Sequence, residues 1–116
     1  MSNIFIYHNP RCSKSRETLA LLEQHGTQPE IIEYLKTPPS VASLTEIINQ
    51  LGISARQLLR KGEVEYKDLN LADDSLTEQQ LIQAMSEHPK LIERPIVIRD
   101  GKAKIGRPPE AVLEIL

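Results

Sequence analysis

"IFIYHNPRCSKSRETLALLEQHG", positions 4 to 26, decides the fold. Ile4 to Tyr7 are apolar or aromatic without alternation, the pattern of a short strand buried on both faces. From Ser13 the pattern turns helical, with Leu19, Leu22 and the intervening Ala20 and Leu21 on the apolar side. His25 and Gly26 stand where helix C-termini favour them. Glu30 to Tyr34 reads as a second strand. A strand, a helix and a strand within about thirty residues form a βαβ unit, whose crossover is right-handed.

Working outward, the pattern changes after Pro38-Pro39. Val41, Leu44, Ile47, Ile48 and Leu51 fall at helical spacing, with Ser40 as a cap and Gly52 as a stop. Residues 54 to 60 form a shorter helical patch. Thr77 and Gln80 have the spacing of a capping box for a helix carrying Leu81, Ile82 and Met85, ended by His88-Pro89. The charged run Glu63, Glu65, Lys67 and Asp68 reads as solvated surface. Strand composition then returns from Pro95 to Arg99 and from Lys102 to Ile105, with Asp100-Gly101 as the hairpin turn between them. Pro108-Pro109 opens a last helix through Leu113. The order is βαβ, helices, ββα. That is an α/β, thioredoxin-like order with a helical insertion at about residues 40–88, and the whole of 1–116 is expected to form one domain.

Composition limits the function. The chain has 116 residues, 40% of them hydrophobic and 26% charged, the profile of a folded globular chain. A net charge of -2 supplies no general attraction to nucleic acid or anionic lipid. An aromatic content of 3%, with no Trp, argues against base-stacking platforms. The first residues have neither a basic region nor an apolar stretch of signal-peptide length, and no run approaches membrane-spanning length. Cytoplasmic residence is the expectation, with neither nucleic acid nor membrane as partner. No metal-ligand spacing, Gly-rich phosphate loop or Ser-His-Asp set is present, so no bound cofactor or metal is expected.

Chemistry gathers at Cys12, the one cysteine of the chain. With no second sulfur, an internal disulfide and a Cys-only metal site are excluded. Its position between strand and helix places it where unpaired N–H groups and the helix dipole favour negative charge. A free thiol titrates near 8.5, and such a setting lowers that value enough to give a nucleophile at neutral pH. His8, Arg11, Lys14 and Arg16 are candidate cations. Ser15 makes the motif Cys-x-x-Ser, so any disulfide formed in turnover must close onto an external thiol, for which glutathione is the obvious donor. Arg94 directly precedes Pro95 at the start of a strand, and Arg107 precedes the Pro108-Pro109 helix start, an anion-friendly terminus. His25 and His88 stand at helix ends and are explained by capping.

Four stretches in order, "NPRCSKSRETLALL" from Asn9, "LLRKGEVEYKDLNL" from Leu58, "LIERPIVI" from Leu91 and "IGRPPE" from Ile105, resemble the glutaredoxin-coupled arsenate reductases, a thioredoxin-fold family related to the Spx regulators. The resemblance covers essentially the whole chain. It implies Cys12 as the catalytic cysteine, His8 as the histidine that activates it, and Arg60, Arg94 and Arg107 as ligands of a substrate oxyanion. Ser15 and Pro95 are supporting residues, Pro95 at the position where thioredoxin folds carry a cis-proline facing the cysteine. It also implies arsenate or a related oxyanion as substrate, glutathione as co-substrate and glutaredoxin as partner. The helical segment carrying Arg60 would close over the cysteine. Ser13 and Lys14 depart from the family, whose better-known members have Gly and Thr there. Two alternatives remain at this point: a glutathione-dependent thiol-disulfide oxidoreductase without arsenate activity, and an Spx-like regulator that binds RNA polymerase. Members of the latter branch typically carry Cys-x-x-Cys, which Cys12-x-x-Ser15 lacks.

Overall fold

A computed structural model describes residues 4–116. They fall into two compact units, one running to Thr37 and resuming at Arg94–Leu116, the other Pro38–Glu93. In the first unit the chain lays down β1 (Ile4–Tyr7), α1 (Ser13–Gln24) and β2 (Glu30–Ile32), then returns as β3 (Ile96–Arg99) and β4 (Lys102–Ile105). A 3-10 helix over Pro109–Ile115 follows. The four strands form one sheet in the order β2-β1-β3-β4. β1 pairs parallel with β2, as a βαβ crossover requires, and antiparallel with β3; β3 and β4 form a hairpin. This is the expected thioredoxin-like α/β arrangement.

The core of this unit follows from the apolar runs. Ile6 and Val97 face one another across the β1–β3 ladder and pack with Leu22 of α1 and Val112 of the last helix, all four fully buried. Ile4, Leu19, Leu21 and Ile115 close around them. The hairpin turn has both central residues at positive φ, Asp100 at 51° and Gly101 at 79°, the turn chemistry that Asp-Gly favours.

Two elements of this unit differ from expectation. β2 stops at Ile32 instead of Tyr34, because the carbonyl of Glu33 takes the N–H groups of Lys36 (2.9 Å) and Thr37 (3.0 Å) and curls the chain into a turn. The last helix is 3-10 rather than α and reaches Ile115: the Pro108 carbonyl accepts the N–H of Ala111, three residues on, at 3.0 Å.

The second unit is helical: α2 (Val41–Leu51), α3 (Ala55–Leu58), α4 (Val64–Asp68), α5 (Glu78–Glu87) and a 3-10 turn at Pro89–Leu91. Its boundaries lie where side-chain chemistry set them. The Ser40 hydroxyl accepts the N–H of Ser43, and Gly52, at φ 72°, ends α2. Thr77 and Gln80 close a reciprocal capping box. α3 is shorter than the helical patch read from the sequence. Leu59 becomes extended and bridges Ile92, and Arg60 N–H donates to the carbonyl of Leu91 at 2.8 Å. α4 was expected only as charged surface, and none of its residues is buried. Without an apolar stripe its helicity leaves no periodic trace in the sequence.

Because Leu22 is 0% exposed, Leu22→Ala removes packing on every side and is expected to lower the unfolding free energy by about 2–5 kcal/mol in urea. Val64 is 70% exposed, and Val64→Ala is expected to change it by less than about 0.5 kcal/mol.

Candidate active site

The loop between β1 and α1 is built by Asn9. Its side-chain oxygen accepts the N–H of Arg11 at 3.0 Å, and its carbonyl accepts the N–H of Cys12 at 3.0 Å. Arg16 reaches back from the helix, Nη1 donating to the carbonyl of Pro10 at 3.0 Å. The turn so fixed delivers Cys12 to the N-cap position of α1. A serine or aspartate there would fill the first-turn N–H groups with a hydroxyl or carboxylate. Cys12 makes no such capping bond, so those N–H dipoles face its sulfur instead.

The thiol is 9% exposed. Burial alone would push it up, but the backbone N–H of Ser15, then the Arg94 side chain by hydrogen bonding and charge, then the backbone N–H of Lys14 outweigh it. The net effect holds Cys12 below the ordinary thiol value, favouring the thiolate. Arg107 completes the setting. Its Nη2 donates toward Cys12 Sγ at 3.7 Å, while its Nε donates to the Arg94 carbonyl at 2.8 Å.

The β3–β4 hairpin explains how residues so distant in sequence meet. Arg94 precedes β3 and Arg107 follows β4, so both stand at the open end of the hairpin. The Arg94–Pro95 and Arg107–Pro108 peptide bonds are both cis, and Pro95 is fully buried. Gly106 N–H donates to the Pro95 carbonyl at 2.9 Å, and a β-carbon at Gly106 would lie 2.5 Å from Thr18 Oγ1 and 2.8 Å from Pro95 Cγ. The bare glycine lets the backbone approach α1 this closely.

His8 differs from its expected form. It is 6% exposed; burial lowers its pKa, the charge of Glu33 opposes this, and the charge of Arg16 adds to it. Its value lies below the ordinary 6.5, so His8 is neutral at pH 7 and supplies no cation to the sulfur. Its Nδ1 lies 2.6 Å from Ser15 Oγ, which also accepts the N–H of Asn9 at 3.0 Å. Ser15 is itself 0% exposed, so this pair fixes the first turn of α1 from inside. Two of the other neighbouring cations are engaged elsewhere: Lys14 lies 3.6 Å from Glu17, and Arg16 holds the Pro10 carbonyl. The guanidinium groups of Arg94 and Arg107 take the place expected of the local cations.

Cys12, His8, Ser15, Arg94, Pro95 and Arg107 thus belong to one unit. Arg60 belongs to the helical unit, where its Nη1 lies 4.0 Å from Glu93 Oε1 and its side chain is 23% exposed. His25 serves its helix end, Nδ1 lying 3.0 Å from the Leu21 carbonyl. Asn9 and Gly106 are the site-building residues that sequence reasoning passed over. The Asn-Pro turn signal pointed to Asn9; nothing local pointed to Gly106.

Residues 7–115 match the ArsC family. The chain belongs to the ArsC family. It is 62% identical to "Uncharacterized protein YfgD" of Escherichia coli (strain K12), over 96% of this chain and 94% of that protein. It is 57% identical to an arsenate reductase of Haemophilus influenzae, over 98% of this chain and 99% of that one. Among solved structures, the arsenate reductase from Vibrio cholerae is 57% identical, with a TM-score of 0.97 over 98% of each chain. Within the ArsC fold, the Cys12 loop and the hairpin end form a thiolate site with guanidinium groups beside it. Among the described residues no group of three or more His, Cys, Asp or Glu is arranged to hold a metal ion, and no helix is long and apolar enough to cross a membrane.

Alkylation of Cys12 by iodoacetamide is therefore expected to be half-maximal at a pH below that of a free thiol, near 8.5. Arg94→Ala is expected to move that midpoint upward, because it removes both a hydrogen bond to the thiolate and a positive charge. An unmoved midpoint in this variant would show that Arg94 does not hold the sulfur.

Proposed function

We propose that this chain reduces arsenate to arsenite in the cytoplasm, with Cys12 as the nucleophile, glutathione as co-substrate and a glutaredoxin as the protein that regenerates the thiol. One observation carries the reading: a buried sulfur held toward its thiolate form lies 3.7 Å from the Arg107 guanidinium, itself tied to Arg94. A buried structural cysteine needs no such neighbours. A thiolate that must receive a tetrahedral dianion does, since attack brings a third negative charge into the same small volume. Charge-assisted, often bidentate hydrogen bonds from guanidinium groups offset that repulsion, at about 1.5–3 kcal/mol each, and a lysine reproduces them poorly. Held in place before reaction, they stabilise the charged transition state. The resemblance adds Arg60 as a third ligand of the oxyanion, and the arsenate reductases among the relatives support the substrate.

In this reading the Cys12 thiolate attacks arsenic and displaces hydroxide or water, leaving arsenic(V) bonded to sulfur. The glutathione thiolate then attacks Cys12 Sγ. A sulfur–sulfur bond forms, the sulfur–arsenic bond breaks, and its electron pair goes to arsenic, which leaves as arsenite. The two sulfurs supply the two electrons that arsenic gains. Glutaredoxin then releases Cys12 from the mixed disulfide. Ser15 suits this route, since it supplies no internal thiol to intercept it. Neutral His8 acts through Ser15, fixing the helix start that faces the sulfur.

The test is arsenite production by the purified protein with glutathione and glutaredoxin. Wild-type protein is expected to turn over and Cys12→Ser to give none; equal rates would refute the scheme. Arg60→Ala, Arg94→Ala and Arg107→Ala are each expected to raise KM for arsenate about tenfold or more. Reduction of a glutathione mixed disulfide without arsenate turnover would instead identify a thiol-disulfide oxidoreductase.

A further inference from the structure

Gly106 is the one glycine of the chain's five at which the missing side chain is a matter of space. At Gly26, Gly52, Gly62 and Gly101 a β-carbon would meet nothing within 4 Å. At Gly106 it would meet Thr18 Oγ1 at 2.5 Å, Pro95 Cγ at 2.8 Å and Thr18 Cγ2 at 3.1 Å. Gly106 does not share the positive φ of Gly26, Gly52 and Gly101, so these two neighbours, and not its backbone conformation, reserve the position for glycine.

Neither neighbour is free to give way. Thr18 is 0% exposed and β-branched, and its hydroxyl donates to the carbonyl of Lys14 at 2.8 Å. Pro95 is a closed ring and fully buried. The segment that can move is residue 106 itself with the chain after it, since Arg107 and Pro108 are exposed. Packed heavy atoms settle about 3.5–4.0 Å apart, so a β-carbon here would push that segment outward by about 1 Å.

The two sides of this contact carry the two halves of the site. Thr18 lies one turn below Lys14, whose backbone N–H, with that of Ser15, faces the Cys12 sulfur. Gly106 donates its N–H to the Pro95 carbonyl at 2.9 Å and is bonded directly to Arg107. The contact therefore sets how near Arg107 comes to the helix that holds the thiolate. Arg107 Nη2 stands 3.7 Å from Sγ, a bond already long enough that an outward shift of about 1 Å would end it.

We propose that Gly106 is a positioning residue: its bare backbone, seated on Thr18 and Pro95, brings the Arg107 guanidinium to the Cys12 sulfur and to the anion that the sulfur attacks. The part concerning the anion rests on the reading of Arg107 as an oxyanion ligand, and the part concerning the sulfur does not.

The test is the rate of Cys12 alkylation by iodoacetate, an anion, divided by the rate with neutral iodoacetamide. Both reagents need the same thiolate, so its pKa and its accessibility cancel, and the ratio reads the positive charge beside the sulfur. A loosened fold by itself leaves it unmoved. Gly106→Ala is expected to lower the ratio about threefold, as Arg107→Ala does, and the two together to lower it no further than Arg107→Ala alone. Gly106→Ala/Thr18→Ala keeps only the Pro95 contact and is expected to fall between Gly106→Ala and wild type. If Gly106→Ala does not fold, a ratio below wild type in this double variant supports the assignment and a wild-type ratio overturns it. An unchanged ratio in folded Gly106→Ala, or a further fall when it is added to Arg107→Ala, would also overturn it. With arsenate as substrate, Gly106→Ala is expected to raise KM about tenfold; an unchanged KM beside a lowered ratio would strike the anion from the assignment. If the protein turns over no arsenate, the functional reading fails, and the alkylation ratio still decides what places Arg107.

Discussion

A sulfur anion withdrawn from water must find its solvation in the protein, and the first unit is organised around that requirement at Cys12. Each surrounding feature replaces part of a hydration shell. The α1 N-terminus presents N–H groups that no capping side chain consumes. Arg94 supplies charge and a hydrogen bond, and Arg107 a second guanidinium held by the Arg94 carbonyl. These groups are fixed by backbone hydrogen bonds and packing, so little reorganisation is needed as negative charge builds up during reaction. The sheet matters because it holds them still: β1 leads into the cysteine loop, and Arg94 leads into its neighbour β3.

Much of this arrangement was legible along the chain, because the responsible signals are local. Ile4 to Tyr7 announced a strand, Thr77 with Gln80 a capping box, and Asp100-Gly101 a tight turn, and each stands where its chemistry puts it, although of the strand expected to be buried on both faces only Ile6 is buried. Elements without such a signal were misjudged. α4 has no apolar face to reveal it, and the end of β2 depends on the Glu33 carbonyl choosing the N–H groups of a turn over a sheet neighbour. The 3-10 pitch of the last helix is hidden for a similar reason, since proline marks a helix start without saying which hydrogen-bond spacing follows.

At the site the division is similar. That Cys12 would be activated could be argued from its place before a helix, and Arg94 and Arg107 were named through resemblance. Which cations would act on the sulfur could not be read from proximity in sequence. Arg16 is only four residues away, yet its guanidinium braces the Pro10 carbonyl, while Arg107, ninety-five residues on, reaches the thiol. The protonation of His8 was equally hidden. It depends on burial and on the balance between Glu33 and Arg16, which only the folded chain establishes. Gly106 owes its importance to Thr18 and Pro95, neither adjacent to it in sequence.

The hairpin that joins the two arginines also sets how this part of the gene is free to change in length. Arg94 and Arg107 are kept side by side by the residue-for-residue register of Ile96 to Ile105 against one another. A codon gained or lost inside either strand would slide one guanidinium past the other and flip the side chains that face the core. Extra codons at the Asp100-Gly101 tip would leave that register intact. Length variation among descendants of this sequence should therefore collect at the far loop of the hairpin and be purged from its two arms.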